Sequence, residues 1–122
     1  MYRLTTTKLT LIQEINDAVH EHYNAKFIQY SGGKISKTSS KARAVSVGLA
    51  YHNMDTKLVE ISACLGLANH QTRLALDNFN AMLEREGLAR EFGKLWKSIL
   101  TKNNTINFSL DIVNGVGEAS NG

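Results

Sequence analysis

Apolar and polar residues recur between positions 9 and 102 with the spacing of α-helices, not with the alternation of strands. This pattern predicts a first amphipathic helix over residues 9–24, a further helix over residues 41–53 and a last helix over residues 88–102. Between the first two helices, residues 31–40 read SGGKISKTSS, a composition typical of a polar loop. Because the chain also contains no proline, we predict an all-α fold, a compact bundle of helices.

Residues 57–80, KLVEISACLGLANHQTRLALDNFN, predict two short helices joined by a tight turn. We expect Asp55 or Thr56 to cap the first helix and Gly66 to end it, because a residue without Cβ readily turns left-handed. We expect Asn69 to cap the second helix. The apolar positions of the pair are Leu58, Ile61, Leu65, Leu74, Leu76, Phe79, Met82 and Leu83. A helix, a short turn containing glycine and a second helix constitute a helix-turn-helix.

Three smaller features accompany the other helices. An apolar cluster at residues 27–30 is expected to hold the following loop in place. Ser39 or Ser40 is expected to cap the helix that starts at residue 41. Gly87 interrupts the apolar pattern and is expected to separate the second helix of the pair from the last helix.

The beginning of the second helix of the pair carries a run of side chains that can form hydrogen bonds: Asn69, His70, Gln71, Thr72 and Arg73. In a helix-turn-helix protein, the N-terminal residues of the second helix contact base edges in the major groove of DNA. We therefore predict that these residues read bases. The alternative is that Asn69 only caps the helix and the others form a solvated surface, since helix-turn-helix geometry also occurs in proteins that do not bind DNA.

The net charge of +3 is too small to indicate nucleic-acid binding by itself, but the charges are unevenly distributed. No acidic residue lies between Glu21 and Asp55, whereas five basic residues do. Such a run is most often a solvated loop, but directly before a helix-turn-helix it could reach phosphates or a minor groove. The predicted phosphate or minor-groove contacts are Lys34, Ser36, Lys37, Lys41, Arg43 and Lys57.

At 122 residues the chain has the length of one domain. We expect a flexible N-terminus at residues 1–8, a DNA-binding domain at residues 9–102 and a mostly disordered tail at residues 103–122. Within the tail, residues 106–113, INFSLDIV, are apolar enough to dock or to pair as a short strand. The single cysteine, Cys64, and the lack of a long apolar run indicate a cytoplasmic, nucleoid-associated protein without membrane contact.

The sequence gives little support to an enzyme. His20 and His22 are two positions apart, so they point to different sides of a helix and cannot share a metal ion. Cys64 is expected to be an inert, packed thiol. Because Ile35 follows Gly32, Gly33 and Lys34, the chain has no phosphate-binding loop. We therefore expect no catalytic activity, no metal and no cofactor, and with only one helix-turn-helix we expect a monomer.

Residues 12–100 resemble the C-terminal DNA-binding domain of the bacterial replication initiator DnaA. The features follow in the same order: a helix ending AVHEHYN, a short apolar segment, a basic loop, a helix containing KARAVSVGLAYH, the pair LVEISACLG and NHQTRLAL, and the last helix EFGKLWKSIL. The family signature, Ile-Gly-x-x-Phe-Gly-x-Arg-Asp-His-Thr-Thr-Val, aligns without gaps to residues 61–73. The resemblance implies a DnaA C-terminal domain-like, Trp-repressor-like fold as a stand-alone domain that lacks the ATPase module.

In that family the Asp-His-Thr-Thr run contacts the major groove, which implies base contacts for His70 and Thr72 here. Asn69 replaces the family's Asp and Gln71 replaces its first Thr. Because Asn can bond adenine whereas Asp accepts from cytosine, the preferred sequence is expected to differ. Ala68 replaces the family's Arg, and Arg73 replaces its Val.

Two further positions of the family carry cations outside the recognition helix. The minor-groove arginine of the family falls near Ile35, which leaves Lys34 and Lys37 as substitutes. Arg43 matches a basic position on the following helix and is expected to contact phosphate.

These features predict sequence-specific binding of double-stranded DNA, marking a replication origin or an operator. The role would be replication initiation, its regulation or transcription regulation, in a phage, a plasmid or another mobile element, with replication proteins as further partners. The alternative is a protein-interaction module that binds a replication or transcription protein without reading DNA. The basic loop favours the first reading, and the missing cations at Ile35 and Ala68 favour the second.

Overall fold

The computed structural model describes residues 6–29 and 35–102, with backbone only for Thr6 and Thr7. These ranges form five helices and no strand: α1 (Thr6–His22), α2 (Lys37–Asn53), α3 (Leu58–Leu65), α4 (Asn69–Leu83) and α5 (Glu86–Lys102). The predicted all-α class is confirmed. Lys34 and the predicted tail at residues 103–122, including residues 106–113, lie outside the described residues. Across 6–29 and 35–102, the helices are all too short or too polar to cross a bilayer.

Helix α2 lies at the centre of the fold, where it packs against α1, α3 and α4. Most of its middle turns are buried, and small residues dominate them, so neighbouring helices approach closely. At Gly48 a Cβ atom would lie 2.1 Å from Cγ of Phe79 on α4, a distance that real Cβ atoms do not reach. Phe79 in turn stacks on Phe92 of α5, with 5.1 Å between the ring centroids. The missing side chain at Gly48 therefore sets how closely α4 can lie against α2.

Three helices begin earlier than predicted. Helix α1 begins at Thr6 and not at residue 9, and α2 begins at Lys37 and not at residue 41. The cap of α2 is Ser36, whose Oγ accepts a hydrogen bond from the Ser39 backbone N–H at 3.1 Å. Helix α5 begins at Glu86, so Gly87 lies within it and does not separate it from α4.

The segment after α1 is held by its backbone carbonyls, which accept hydrogen bonds from α2. The Ser39 hydroxyl donates to the Lys26 carbonyl at 2.9 Å, and the Arg43 guanidinium donates to the Ile28 carbonyl. Phe27 packs against the core with its ring edge-on to His20. Residues 27–29 are therefore fixed by α2. That the cluster holds the following loop stays a prediction, because residues 30–34 lie outside the described ranges.

Candidate nucleic-acid interface

Helices α3 and α4 are joined by a turn at residues 66–68. Gly66 ends α3 in the left-handed conformation, with φ 68° and ψ 31°, as the sequence predicts. The following N–H, of Leu67, donates to the Ser62 carbonyl at 3.0 Å, and the Leu67 side chain is buried. The same carbonyl also accepts a hydrogen bond from the Gly66 N–H, so the turn folds back onto the last turn of α3. The turn is therefore anchored at its backbone and by one apolar side chain.

The caps of both helices differ from the prediction. The cap of α3 is Lys57 and not Asp55 or Thr56, and the cap of α4 is Ala68 and not Asn69, which is the first helical residue. Neither cap residue supplies a side-chain acceptor. Instead, the third helical residue reaches back: Glu60 Oε1 accepts from Lys57 N–H and Gln71 Oε1 accepts from Ala68 N–H, each at 2.9 Å. This arrangement satisfies a free N–H without a Ser, Thr, Asp or Asn cap.

Glu60 also ties α3 to α1. Its buried carboxylate lies 3.3 Å from Lys8 Nζ and accepts a hydrogen bond from Thr56 Oγ1 at 3.2 Å. Burial alone would raise the pKa of Glu60, but the hydrogen bonds from the Lys57 backbone, Lys8 and Thr56 together lower it. The carboxylate is therefore charged at neutral pH and holds the start of α3 in place.

The predicted base contact at Thr72 is wrong. Thr72 is 0% exposed, because it lies on the face of α4 that turns towards α3. Its hydroxyl accepts a hydrogen bond from Ser62 Oγ at 2.7 Å and donates to the Ala68 carbonyl at 3.2 Å. Both hydrogen-bonding functions of this side chain are used inside the protein. Thr72 therefore positions α4 relative to α3 and does not face a ligand.

Three of the other predicted base contacts lie on the outer face of α4. Asn69, His70 and Arg73 are exposed, and no acidic residue occurs from position 69 to position 76. Gln71 is half-buried, and its side-chain oxygen accepts a hydrogen bond from the Ala68 N–H. Whether these residues read bases stays a prediction. Their placement produces a polar surface without carboxylates at the front of α4.

Most of the predicted phosphate contacts on or next to α2 form hydrogen bonds or ion pairs within the protein. Arg43 is half-buried, and its guanidinium donates to the Ile28 carbonyl; burial lowers its pKa. Ser36 caps α2 through its hydroxyl. By contrast, Lys37 is an exposed side chain in the first turn of α2. Lys57, the cap of α3, is exposed as well but also interacts within the protein.

Lys41 is also engaged within the protein. Its Nζ lies 3.2 Å from Glu91 Oε2 and 5.0 Å from the centre of the Tyr23 ring. The Tyr23 hydroxyl donates to the same Glu91 oxygen at 2.6 Å. Burial and this hydrogen bond raise the pKa of Tyr23, while the bond from Tyr23, together with Lys41, lowers the pKa of Glu91. Lys41 therefore links α2 to α5 through its ion pair with Glu91.

A shallow depression of about 210 Å³ lies between the start of α2 and the front of α4. Its apolar wall includes Leu74, which is 60% exposed although its spacing predicted a core position, and Ile35. The polar residues around it are Ser40, Arg43, His70, Gln71 and Asn78. Leu74 and Asn78 were not predicted as site residues. Their signal in the sequence is the spacing of four from His70 to Leu74 and again from Leu74 to Asn78, which places all three on one helical face.

The cysteine and the two histidines that were considered for catalysis or metal binding make contacts within the protein. Cys64 Sγ donates to the Leu9 carbonyl at 3.3 Å, and burial raises its pKa to about 11, so the thiol is protonated at neutral pH. His20 is buried, with Nδ1 2.8 Å from the Asn16 carbonyl, whereas His22 is exposed beside Tyr23. Over residues 6–29 and 35–102, no group of three or more His, Cys, Asp or Glu side chains is placed to bind a metal ion.

Comparison of the chain with protein-family models, with curated proteins and with solved structures finds no match. A function is therefore inferred from the chemistry of the surface that α4 and its neighbours form.

Proposed function

We propose that this protein binds double-stranded DNA sequence-specifically, with α3 and α4 as its helix-turn-helix and α4 as the recognition helix. The observation that carries the proposal is the front of α4, where Asn69, His70 and Arg73 are all exposed and where residues 69–76 include no acidic residue. Such side chains form hydrogen bonds with base edges, and the absence of acids avoids repulsion from the phosphates. DNA is therefore the ligand that suits both the hydrogen bonding and the charge.

The inner face of α4 supports this proposal, because recognition of bases needs a helix whose position is fixed. Thr72 is bonded to Ser62 on α3, and Phe79 packs where Gly48 of α2 has no side chain. The turn between α3 and α4 is anchored at Leu67. A helix that is fixed by both neighbours keeps its outer residues at constant positions relative to the rest of the protein.

The distribution of cations supports binding with few phosphate contacts. Lys37 and Arg73 are exposed near the α3–α4 pair, whereas Lys41 and Arg43 have partners within the protein. Lys57 is exposed at the start of α3 and also interacts within the protein. Because each phosphate contact adds about one unit to the slope of log K against log salt, we expect a shallow slope.

The finer assignment within this proposal follows the resemblance to the DNA-binding domain of the initiator DnaA. That resemblance rests on the order of the sequence features, and the role would be to mark a replication origin or an operator. Asn69, where the family has Asp, favours adenine at a position where the family's Asp would accept from cytosine. The preferred site is therefore expected to differ from the initiator's own.

The proposal is tested by selecting bound duplexes from a random-sequence DNA pool at near-physiological salt, followed by sequencing. We expect enrichment of one short asymmetric site. On that site, His70→Ala should weaken binding by about 1–3 kcal/mol in a fluorescence anisotropy titration, with little change on a shuffled duplex. Lys97→Ala, which removes an exposed cation on α5, is the matched control and should bind both duplexes as the unmodified protein does. Equal weakening on both duplexes by His70→Ala would show that α4 does not read bases.

The second candidate function is a protein-interaction module, and the exposed Leu74 favours it, since apolar surface groups also mark protein interfaces. Salt dependence separates the two. With DNA, Lys37→Ala should lower the magnitude of the salt slope by about one unit. A folded protein that enriches no sequence from the pool would favour the protein partner.

A further inference from the structure

Leu74 is the most exposed large hydrophobic side chain in the part of the chain that the structure describes. Residues four apart lie above one another on a helix, so Leu74 shares its face with His70. This side chain is not buried in the core, so it does not stabilise the fold by burial. It lies in the middle of the surface proposed to face DNA. Its position therefore calls for a ligand with an apolar group next to hydrogen-bonding groups.

The depression beside Leu74 has matching chemistry. Ile35 lines it from the side of α2, and His70, Gln71 and Asn78 supply hydrogen-bonding groups around these two apolar side chains. The described residues that line it include no carboxylate. Its volume, about 210 Å³, is below the roughly 300–1,000 Å³ of pockets that hold drug-sized ligands. It suits one small apolar group presented by a larger, polar and anionic molecule.

We propose that Leu74, backed by Ile35, contacts the C5-methyl group of a thymine in the major groove and so selects thymine at one position of the bound site. The methyl group is the one apolar feature that a base pair presents there, and it lies beside the hydrogen-bonding edge of the base, which suits the exposed His70 one turn away on α4. The lack of carboxylates favours DNA over a basic protein surface as the occupant. This inference rests on the proposed function.

The experiment replaces each thymine of the selected duplex, one at a time, by deoxyuridine, which removes only the methyl group. For the unmodified protein we expect one replacement to raise Kd about fourfold, the effect of one buried methyl group. In Leu74→Ala the same replacement should leave Kd unchanged, while the unsubstituted duplex binds more weakly than to the unmodified protein. Circular dichroism checks that Leu74→Ala keeps its helices, which the exposure of this side chain leads us to expect.

The matched control is Leu83→Ala, which shortens another exposed leucine near the end of α4 and should retain the fourfold preference for thymine. The inference is overturned if Leu74→Ala keeps that preference, or if no thymine is distinguished from uracil although a specific site is bound. Both results leave the proposed function standing. If the random pool yields no enriched site, the proposed function itself fails and the inference fails with it.

Discussion

The front of α4 and the N-terminal half of α2 were both predicted to contact DNA, but the structure gives them different surroundings. On α4, Asn69, His70 and Arg73 are exposed. On α2, Arg43 is bonded to the Ile28 carbonyl and Lys41 is paired with Glu91. The first region offers side chains to a ligand, whereas the second uses its cations to hold neighbouring segments together.

This difference shows that a cation does not contact a phosphate merely because it lies near a recognition helix. A half-buried guanidinium that donates to a backbone carbonyl has a structural role, because a carbonyl left without its partner costs about 1–3 kcal/mol, whereas an exposed ion pair contributes only about 0–1 kcal/mol. The Ile28 carbonyl, presented by the segment after α1, decides the role of Arg43. The exposed Lys37, earlier on the same helix, is left for a ligand.

The largest expected effect comes from Gly48→Ala, which acts where the C-terminal halves of α2 and α4 pack together. The new Cβ would lie 2.1 Å from Cγ of Phe79, so α4 or its ring must move away from α2. Overpacking of this kind costs about 3 kcal/mol, more than the roughly 1 kcal/mol that alanine gains over glycine in a helix. Chemical denaturation monitored by circular dichroism measures the loss.

The matched control for that substitution is Gly93→Ala on α5. A Cβ at Gly93 meets no atom within 4 Å, so only the helix propensity changes. We expect the free energy of unfolding to rise by roughly 0.5–1 kcal/mol. If Gly48→Ala stabilised the protein as Gly93→Ala does, the close packing of α2 on α4 would be refuted.

The next effect concerns Arg43→Ala and decides between a structural and a DNA-binding role. Without the guanidinium, the Ile28 carbonyl loses its partner, and we expect the free energy of unfolding to fall by about 2 kcal/mol. The slope of log K against log salt for DNA should stay unchanged. Lys37→Ala is the opposite case, with unchanged stability and a slope reduced by about one unit. A reduced slope and full stability in Arg43→Ala would restore its predicted phosphate contact.

Much of the fold was predictable because it depends on local patterns. Helical spacing identified the all-α class, and Gly66 identified the end of α3, since a left-handed residue is needed there. The predicted caps were wrong at α2, α3 and α4. At α2 several serines could act as the cap, and Ser36 does so through its own hydroxyl. At α3 and α4, Glu60 and Gln71 satisfy the N–H of the cap residue from inside the helix.

The site was predictable in part. The exposure of Asn69, His70 and Arg73 follows from helical phase once the start of α4 is known. Thr72 falls on the inner face by the same phase. Its partner Ser62 lies on another helix, so a local sequence pattern does not reveal this hydrogen bond. Leu74 is a different case. An apolar residue predicts burial, but no neighbouring residue covers this side chain.

The smallest expected effect separates the inner from the outer face of α4. Thr72→Val replaces the hydroxyl by a methyl group of similar size, which removes the acceptor for Ser62 and the donor for the Ala68 carbonyl. We expect the free energy of unfolding to fall by about 1 kcal/mol, the net value of a typical hydrogen bond. A double-mutant cycle with Ser62→Ala should recover part of that loss, because then neither hydroxyl is left unpaired.

On DNA, Thr72→Val should keep the ratio of affinities for the selected and the shuffled duplex, since the side chain lies beneath the outer surface of α4. His70→Ala should reduce the same ratio with little change in stability, because His70 is exposed. His70 and Thr72 are two residues apart on the same helix. The two variants thus divide α4 into a face that stabilises the fold and a face that reads the ligand. A loss of sequence preference in Thr72→Val at full stability would mean that this division is wrong and that the hydroxyl turns outward when DNA binds.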